Sequence, residues 1–450
     1  MKRYEALAEE IAQSIRTGVM KLGDRLPSVR QAGASRAVSA STVFQAYYLL
    51  EARGLIRARE RSGYYVIASA RPILPEVDNA SRPTAESTQV DVSDLVFDIL
   101  ESTKNRDVVP FGSAFPSPLL FPFPRLARSM AASIQKMDPW STVDDLTPGD
   151  PALRRQIALR YLADGMHVHT DDIVITNGAL EALNLCLHTV ARPQRQRHQK
   201  RHKPRACWLM TNFQNPLGCL MLDEKKQALV ALLAAHQVPL IEDDVYVELY
   251  FGRARPLPAK AFDKAGLVMH CSSFSKCLAP GYRVGWAAPG KFAGAVARLK
   301  LARTLSASAP AQGAIADYLA KGGYDRHLRQ LRHALSVQQD AMLQAVARYF
   351  PRGTKATRPP GGYFLWVELP GQVDVLQIQR SALSLGISVA PGPMFSAERK
   401  FLNCIRLNYG HPWDERTEAA MATLGRIIAA NSATVGQRTD SLACKPENDH

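Results

Sequence analysis

The sequence predicts an α/β protein in two parts, a small helical N-terminal domain and a larger domain in which strands and helices alternate. Apolar side chains recur at helical spacing over residues 4–17, and two short helices and a β-hairpin are predicted before residue 70. Residues 71–90 are rich in proline and polar side chains, as in a linker. From residue 91 onward, short β-like runs alternate with helical stretches. That alternation is typical of a domain with a largely parallel sheet.

The composition is that of a globular protein without a membrane span. The chain has 450 residues, of which 46% are hydrophobic, and no apolar run is long enough to cross a bilayer. The N-terminus lacks the apolar segment of a signal peptide. The seven cysteines are scattered and form no Cys-x-x-Cys pair, so no metal cluster or disulfide framework is predicted. We therefore expect a protein of the reducing cytoplasm that binds no metal.

Most of the net charge of +15 lies in two short stretches. Residues 1–70 hold eleven Lys and Arg against six Asp and Glu, and residues 192–205 hold seven Lys and Arg with no acidic residue. Clustered positive charge favours a polyanionic partner such as DNA. The remainder of the chain is nearly balanced, so the N-terminal domain is the first candidate for that partner.

The N-terminal domain carries clear signals for where its elements begin. Pro27-Ser28 suits the start of a second helix, and Ser39 can cap a third helix that runs from about Ala40 to Arg53. Two short strands around Ser62-Gly63 predict a hairpin wing. Residues 1–70 resemble the winged helix-turn-helix of GntR-type regulators, because four segments match that domain in the same order along the chain. The matching segments are LPSVR at 26–30, VSASTV at 38–43, LEARGLI at 50–56 and SGYYV at 62–66.

The resemblance implies that the third helix enters the major groove of double-stranded DNA. Two departures bear on affinity: Ala40 stands where many relatives carry an arginine, and Gly33 lies inside the second helix, where glycine costs about 1 kcal/mol against alanine. The candidate base contacts are Ser41, Thr42 and Gln45, and the candidate phosphate contacts are Arg30, Arg57, Arg59 and Arg61.

Residues 272–286 form the sharpest motif of the larger domain and read SSFSKCLAPGYRVGW. This motif resembles the lysine segment of fold-type-I aminotransferases, which bind pyridoxal 5'-phosphate (PLP). The resemblance implies that Lys276 is the catalytic residue and forms a Schiff base with the PLP aldehyde. It also implies that Ser273, Ser275 and Arg283 bind the phosphate, with Arg283 donating two charge-assisted hydrogen bonds.

Two upstream segments match the same family. In EDDVY at 242–246, the resemblance assigns Asp243 to the pyridine nitrogen and Tyr246 to the 3'-oxygen of PLP. Asp244 is expected to be a solvated neighbour; an acidic pair could also bind a metal, but no His or Cys cluster supports one. In TNFQNPLG at 211–218, Asn215 matches the Asn of the family's Asn-Pro-x-Gly turn and would bond the same 3'-oxygen.

Two further segments complete the predicted cofactor and substrate site. A helix predicted to begin near Ala179 would offer the backbone N–H groups of Gly178, Ala179 and Leu180 to the phosphate, although a plain strand–helix turn explains the segment as well. In NCIRLNYG at 403–410, Arg406 matches the family's arginine that clamps the substrate carboxylate.

The order of motifs resembles the MocR subfamily, in which a GntR-type reader is fused to an aminotransferase-like domain. The resemblance implies a dimeric, cytoplasmic transcription regulator that senses PLP or its adduct with an amino acid or amine. A working aminotransferase that carries a DNA-binding domain, and a DNA-binding protein whose second domain only dimerises, remain alternatives. The predicted bounds are 1–70 for the winged helix-turn-helix, 71–90 for the linker, 91–430 for the PLP domain with a smaller subdomain at about 340–430, and 431–450 for a disordered tail.

The basic tract at 192–205 is where the family pattern fails. Relatives carry here a longer interval with a strand and an aromatic residue that stacks on PLP. Two functional explanations of the tract are a second nucleic-acid contact and a metal site that uses His198 and His202. A solvated loop that replaces lost sequence is favoured over both, because the like charges of the tract repel one another. We therefore hypothesise weakened PLP binding and a gap in the sheet.

Overall fold

The computed structural model divides into two compact units. The first comprises residues 1–113, 335–357 and 365–450, and the second comprises residues 114–334 and 358–364. None of the described helices is both long and apolar enough to span a bilayer. The described residues are 3–17, 19–21, 23–52, 55–59, 63–66, 74–77, 94–102, 104–141, 146, 148–191, 204–371 and 373–442.

The α-helices and strands are numbered in chain order. The helices are α1 (Arg3–Arg16), α2 (Val29–Arg36), α3 (Ala40–Ala52), α4 (Asp94–Ser102), α5 (Phe123–Lys136), α6 (Pro151–Ala163), α7 (Ala179–Ala191), α8 (Asp223–Ala235), α9 (Ala293–Thr304), α10 (Ala309–Ala320), α11 (Gly323–Tyr349), α12 (Val375–Ser384) and α13 (Glu415–Leu442). The strands are β1 (Ile56–Arg59), β2 (Gly63–Val66), β3 (Val109–Pro110), β4 (Val174–Thr176), β5 (Cys207–Leu209), β6 (Leu240–Asp243), β7 (Val268–Ser273), β8 (Gly285–Ala288), β9 (Lys355–Ala356), β10 (Phe364–Glu368), β11 (Ile387–Ser388), β12 (Ala390–Pro391) and β13 (Cys404–Asn408).

The first three helices and the β1–β2 hairpin form the predicted winged helix-turn-helix. The two strands pair antiparallel, with Ile56 opposite Val66. Ser28 caps α2 through a reciprocal capping box with Gln31, and the hydroxyl of Ser39 accepts the backbone N–H of Thr42 at 3.2 Å. Both predicted cap residues therefore satisfy backbone donors that the helix itself leaves unpaired.

Gly33 is required by the turn between α2 and α3. A Cβ atom at this position would lie 3.0 Å from the carbonyl oxygen of Val38. The chain reverses through Ala37, whose φ is +52°, and the N–H of Val38 then bonds the carbonyl oxygen of Gly33 at 3.1 Å. Because glycine has no Cβ atom, the next segment can approach α2 closely at Gly33, and this contact comes with the loss of helix propensity there.

This domain has a hydrophobic core of its own, built from one face of each helix and from the hairpin. Tyr47 lies in that core and donates its hydroxyl to the carbonyl oxygen of Pro27 at 2.7 Å, which ties α3 to the start of α2. The buried members are Leu7, Ala8, Ile11, Ala12, Ile15, Leu26, Ala32, Val43, Ala46, Tyr47, Leu50, Ile56 and Val66.

The C-terminal part of the first unit covers most of the residues predicted for the smaller subdomain. Its sheet has the strand order β12-β13-β10-β9, and β11 pairs in parallel with β3. Helix α13 continues to Leu442, so residues 431–442 are helical where the sequence predicts a disordered tail. Each added helical residue gains a backbone hydrogen bond once a helix exists, and polar composition alone does not reveal this. Residues 443–450 lie outside the described part of the chain.

The second unit is built on a five-stranded sheet with the order β4-β8-β7-β6-β5. Strands β5, β6 and β7 are parallel, while β8 is antiparallel to both β7 and β4. Four of the five strands therefore run in one direction, which agrees with the predicted sheet. Helix α7 packs on this sheet through Leu183, Leu185 and Cys186 against Val174, Ile241 and Met269.

The sheet ends at β5 in the part of the chain that the structure describes. The expected gap does not interrupt the described sheet, because its five strands are hydrogen-bonded in unbroken order. Instead, the strand that follows the basic tract is an edge strand of three residues, and its central side chain, Trp208, is 44% exposed. Residues 192–203 of the tract lie outside the described residues.

Candidate functional site

Lys276 lies just beyond the carboxyl end of β7, in the second unit. Its Nζ atom donates to the carbonyl oxygen of Ala114 at 2.9 Å and lies 3.9 Å from the centroid of the Phe115 ring. An ammonium group is attracted to the face of an aromatic ring. These two contacts hold the amine of Lys276 in a half-buried position.

Asp243 is the last residue of β6 and lies at the same edge of the sheet as the end of β7, because the two strands are parallel and Asp243 is paired with Cys271. Its Oδ1 atom is buried and has no hydrogen-bond partner among the described residues. Burial, and then the charge of Asp244, raise the pKa of Asp243 to about 7, although the charge of Lys276 opposes the rise. Such a carboxylate oxygen is suited to a cationic donor.

Replacing Asp243 by asparagine is expected to flatten the pH dependence of stability in the PLP-free protein. Because the pKa is raised, the folded state holds a proton that the unfolded state releases between about pH 4 and pH 7, so stability falls as pH rises through this window. Asp243→Asn should therefore be more stable at pH 8 by about 1–3 kcal/mol. Urea unfolding at pH 5 and pH 8 measures the effect. Asp172→Asn, at an exposed position, is the control. If the free energy of unfolding changes equally with pH in wild type and Asp243→Asn, the raised pKa of Asp243 is contradicted.

Tyr246 and Asn215, the two residues predicted to bond the 3'-oxygen, both belong to the second unit. Tyr246 is buried, and its ring packs edge-on against the rings of Tyr363 at 5.4 Å and Phe364 at 5.7 Å between centroids. Asn215 precedes Pro216 through a cis peptide bond. Their roles toward PLP stay predictions.

The predicted phosphate-binding residues converge where β4 turns into α7. Gly178 has a φ of +82°, and Nη2 of Arg283 donates to the carbonyl oxygen of Asn177 at 3.3 Å. The hydroxyl of Ser273 accepts the N–H of Ser275 at 3.3 Å. The hydroxyl oxygen of Ser275 is buried and, within the described residues, has no hydrogen-bond partner. The cluster therefore offers a guanidinium and hydroxyl groups to an anion.

The start of α7, which contains the predicted Ala179 and Leu180, also carries a carboxylate for which the sequence predicts no role. Glu181 accepts the N–H of Asn177 at 2.5 Å and pairs with Lys300 at 3.1 Å. Burial acts to raise the pKa of Glu181, but hydrogen bonds from Thr304 and Asn177 and the charge of Lys300 hold it below its ordinary value. The positive end of the helix dipole is thus already partly neutralised.

Replacing Gly178 by alanine is expected to weaken PLP binding. A Cβ atom there would lie 2.6 Å from Nη2 of Arg283, so the guanidinium must move. The matched control is Gly165→Ala, because Gly165 also has a positive φ, +76°, but a Cβ atom added to it would have no heavy atom within 4 Å. Both changes should cost about 1–2 kcal/mol of backbone strain. Only Gly178→Ala should lower PLP affinity, by at least about tenfold, or about 1.4 kcal/mol. Equal affinities in a PLP titration of the two variants would contradict this role.

A series of buried, hydrogen-bonded side chains leads to Asp244, the residue that follows Asp243. The indole N–H of Trp286 donates to the hydroxyl of Tyr161 at 2.9 Å, and this hydroxyl lies 2.7 Å from Nδ1 of His270. His270 Nε2 lies 3.0 Å from Oδ2 of Asp244, and Asn212 donates to the other oxygen at 2.9 Å. Burial lowers the pKa of His270 to about 4, so a neutral ring that donates from Nε2 fits this series.

Asp244 is therefore not the solvated neighbour that the sequence predicts. It is fully buried, and burial raises its pKa to about 7 while the hydrogen bond from Asn212 and the charge of Lys226 oppose the rise. Buried carboxyl groups persist when partners satisfy them, and here His270 and Asn212 do so. No local motif links these positions, because Asn212 and His270 are distant from Asp244 along the chain.

Arg406 belongs to the first unit, on β13. Its Nη2 atom donates to the carbonyl oxygens of Gly112 at 2.5 Å and Ser113 at 3.2 Å, and the guanidinium lies 5.1 Å from the Phe395 ring centroid. These contacts fix the position of a buried guanidinium. Its predicted role as a carboxylate clamp remains a prediction.

The predicted DNA contacts lie on α2, α3 and the wing. Ser41 and Gln45 are exposed on α3, and Thr42 is half-buried. The hydroxyl of Ser39 lies 2.9 Å from the hydroxyls of both Ser41 and Thr42, so these groups are already hydrogen-bonded to each other. Of the predicted phosphate contacts, Arg30 and Arg57 are exposed, Arg59 is described only by its backbone in β1, and Arg61 lies outside the described residues.

A winged helix-turn-helix joined to a lysine-bearing α/β sheet defines a DNA-binding regulator with an aminotransferase-like domain. Residues 3–66 match the gntR family of bacterial regulatory proteins, and residues 194–422 match aminotransferase class I and II. The uncharacterized HTH-type transcriptional regulator YdcR of Escherichia coli K12 is 43% identical over 469 positions, which cover 95% of this chain and 99% of YdcR. YjiR of the same organism, also an uncharacterized HTH-type transcriptional regulator, is 34% identical with the same coverage. The chain belongs to this family of HTH-type transcriptional regulators, which has the MocR-type architecture.

The similarity to solved structures extends over the larger domain. LysN, the α-aminoadipate aminotransferase of Thermus thermophilus, was solved in complex with N-(5'-phosphopyridoxyl)-L-leucine; it is 25% identical with a TM-score of 0.66 and covers 76% of this chain and 96% of its own. The kynurenine aminotransferase of Pyrococcus horikoshii is 24% identical with a TM-score of 0.67 and covers 76% of this chain and 95% of its own. These likenesses establish the aminotransferase fold. The alignment with YdcR is longer than this chain, so YdcR has residues with no counterpart here.

Proposed function

We propose that this transcription regulator binds PLP covalently at Lys276 and that occupancy of this site by an amino compound controls its binding to DNA. The observation that carries the proposal is a pair of buried atoms, Oδ1 of Asp243 and Oγ of Ser275, that lack hydrogen-bond partners within the described residues. Unsatisfied buried polar atoms are rare in folded proteins and call for a missing partner. A ring nitrogen and a phosphate are partners of the right chemistry for these two atoms.

The other described residues of the second unit suit the same group. Arg283 supplies a guanidinium for the phosphate, and the φ of Gly178 keeps the backbone close beside it. Tyr246 and Asn215 would donate to the 3'-oxygen. PLP, when bound, supplies an aldehyde carbon and a ring that withdraws electrons. The complex of LysN with a phosphopyridoxyl amino acid supports PLP as the group this fold accommodates.

Each side chain has a distinct task in this proposal. Lys276 provides the amine that attaches the cofactor, and the carbonyl oxygen of Ala114 orients this amine. Asp243 holds a proton on the ring nitrogen, because a buried carboxylate is stabilised by an adjacent cation. Arg406 would bind the carboxylate of an amino acid. An amino compound that displaces Lys276 changes the contacts of its side chain, and regulation requires such a difference between two states.

We further propose that the protein acts as a homodimer in the cytoplasm. A dimer presents two winged helix-turn-helix domains. When two-fold symmetry relates these domains, they match an operator with two half-sites. We also expect weakened PLP binding, because the sequence of the basic tract contains no phenylalanine, tyrosine or tryptophan that could stack on the cofactor ring.

The deciding experiment combines spectroscopy with DNA binding on the full-length protein. Titration with PLP should produce a visible absorbance band, and borohydride reduction followed by peptide mass spectrometry should find the pyridoxyl mass on Lys276. Footprints on a selected DNA duplex should then change when PLP, and next each common amino acid, is added. Repeated turnover with a keto acid acceptor would indicate an aminotransferase instead. Absence of any fixed adduct would refute the proposal and leave a domain that only dimerises.

A further inference from the structure

The exposed face of α3 carries two aromatic rings in addition to its polar side chains. The helix buries Val43, Ala46, Tyr47 and Leu50 in the core of the winged helix-turn-helix. On the solvent-exposed side of the helix, Phe44 is 56% exposed and Tyr48, one turn further on, is 68% exposed. Single exposed apolar residues are ordinary, but two rings at i, i+4 spacing form one continuous stripe along the helix.

The same face has no positively charged side chain. The sequence of α3 is ASTVFQAYYLLEA, which contains no lysine or arginine. The exposed cations lie on the flanking elements, with Arg30 on α2 and Arg57 on β1. Phosphate contacts position a protein on DNA, whereas side chains at the base edges read the sequence. The charge distribution therefore leaves α3 to read bases while its neighbours bind the backbone.

Few polar groups on α3 remain available for that reading. The hydroxyls of Ser41 and Thr42 are both 2.9 Å from the hydroxyl of Ser39, which caps the helix. The exposed amide of Gln45 suits adenine, to which it can form two hydrogen bonds. Phe44, immediately before it, has no hydrogen-bonding group, so its ring can make only apolar contacts with a base edge.

We propose that Phe44 is a specificity-determining residue that contacts the C5-methyl group of thymine. The proposal rests on the DNA-binding function of this domain. It follows from the chemistry of the major groove, where the methyl group of thymine is the apolar group that the base edges present. Gln45 and Phe44 together then select a site in which adenine and thymine lie under the N-terminal half of α3. Contacts of this kind come from the first turns of a recognition helix, where Phe44 lies.

The test removes the methyl group from the DNA and the ring from the protein, separately and together. A duplex is first selected from a random pool with the full-length protein, and each thymine is then replaced singly by deoxyuridine. At one position in each half-site, deoxyuridine should weaken binding by the wild type about fourfold, the expected value for one methyl group removed from an apolar contact. Phe44→Ala should bind thymine and deoxyuridine duplexes equally.

Two controls separate this role from effects on folding. Phe44→Ala should show the same thermal unfolding as the wild type, because the ring is largely exposed. Phe97→Ala removes an equally exposed ring, 61% accessible, from α4 outside the winged helix-turn-helix and should keep the full discrimination against deoxyuridine. If wild type and Phe44→Ala discriminate equally between thymine and deoxyuridine duplexes, the proposal for Phe44 is overturned, although the domain still binds DNA. Failure of the full-length protein to select any duplex would overturn both.

Discussion

Replacing Lys276 by alanine is expected to abolish covalent attachment of PLP and to weaken PLP binding at least about a hundredfold, or by about 3 kcal/mol. The amine of Lys276 is held half-buried by the carbonyl oxygen of Ala114 and the ring of Phe115, at the sheet edge where Asp243 also lies. Removal of the side chain removes the nucleophile and leaves the phosphate contacts intact. Visible absorbance on titration with PLP, and peptide mass spectrometry after borohydride reduction, measure the result.

The control for this variant is Lys264→Ala. Lys264 is exposed on the second unit, so its replacement should leave both the absorbance and the fixed adduct unchanged. An adduct that persists in Lys276→Ala on another lysine would show that the site is elsewhere. Operator binding by Lys276→Ala should no longer respond to PLP, while binding in the absence of PLP should match that of the wild type.

Replacing Leu50 by alanine is expected to abolish DNA binding at 37 °C without loss of PLP attachment. Leu50 is fully buried in the core of the winged helix-turn-helix, and truncation of a buried leucine costs about 2–5 kcal/mol. A domain of this size has a small stability reserve, so a loss of this order unfolds a large fraction of molecules. DNA affinity and thermal unfolding followed by circular dichroism provide the measurement.

The neighbouring residue provides a matched control. Leu49 packs against the same core but is only partly buried, so Leu49→Ala should lose much less stability and keep measurable DNA binding. The borohydride-fixed adduct on Lys276 should be the same in both variants, because Lys276 lies in the second unit. A parallel loss of PLP attachment in Leu50→Ala would contradict the separation of the two cores.

The sequence was most informative where structure is determined by neighbouring residues. Caps at Ser28 and Ser39 place the starts of α2 and α3 within a residue of the predicted positions, because a cap acts on backbone groups two or three residues away. The motif around Lys276 similarly identifies a local strand-and-turn arrangement. Gly33 was understood only from the fold, since the carbonyl oxygen that approaches it belongs to the following segment.

Contacts between distant segments account for what the sequence did not predict. A charged residue such as Asp244 is usually solvated, and its burial depends on Asn212, on His270 and on the hydroxyl of Tyr161 beyond it. These side chains come from separate strands and helices, so their convergence follows from the sheet order rather than from local spacing. The apolar stripe containing Phe44 was missed for a simpler reason, since exposure requires knowledge of which helix face is buried.

The short edge strand β5 has a consequence for how the larger domain opens. Among the described strands, β5 is bonded to β6 alone, whereas β7 lies between β6 and β8 and is buried along its whole length. Amide protons at Trp208 and Leu209 should therefore exchange with deuterium well before those of Met269 and Cys271. Hydrogen exchange in this sheet would then be early at β5, while the strand that ends next to Lys276 stays protected until the whole unit unfolds.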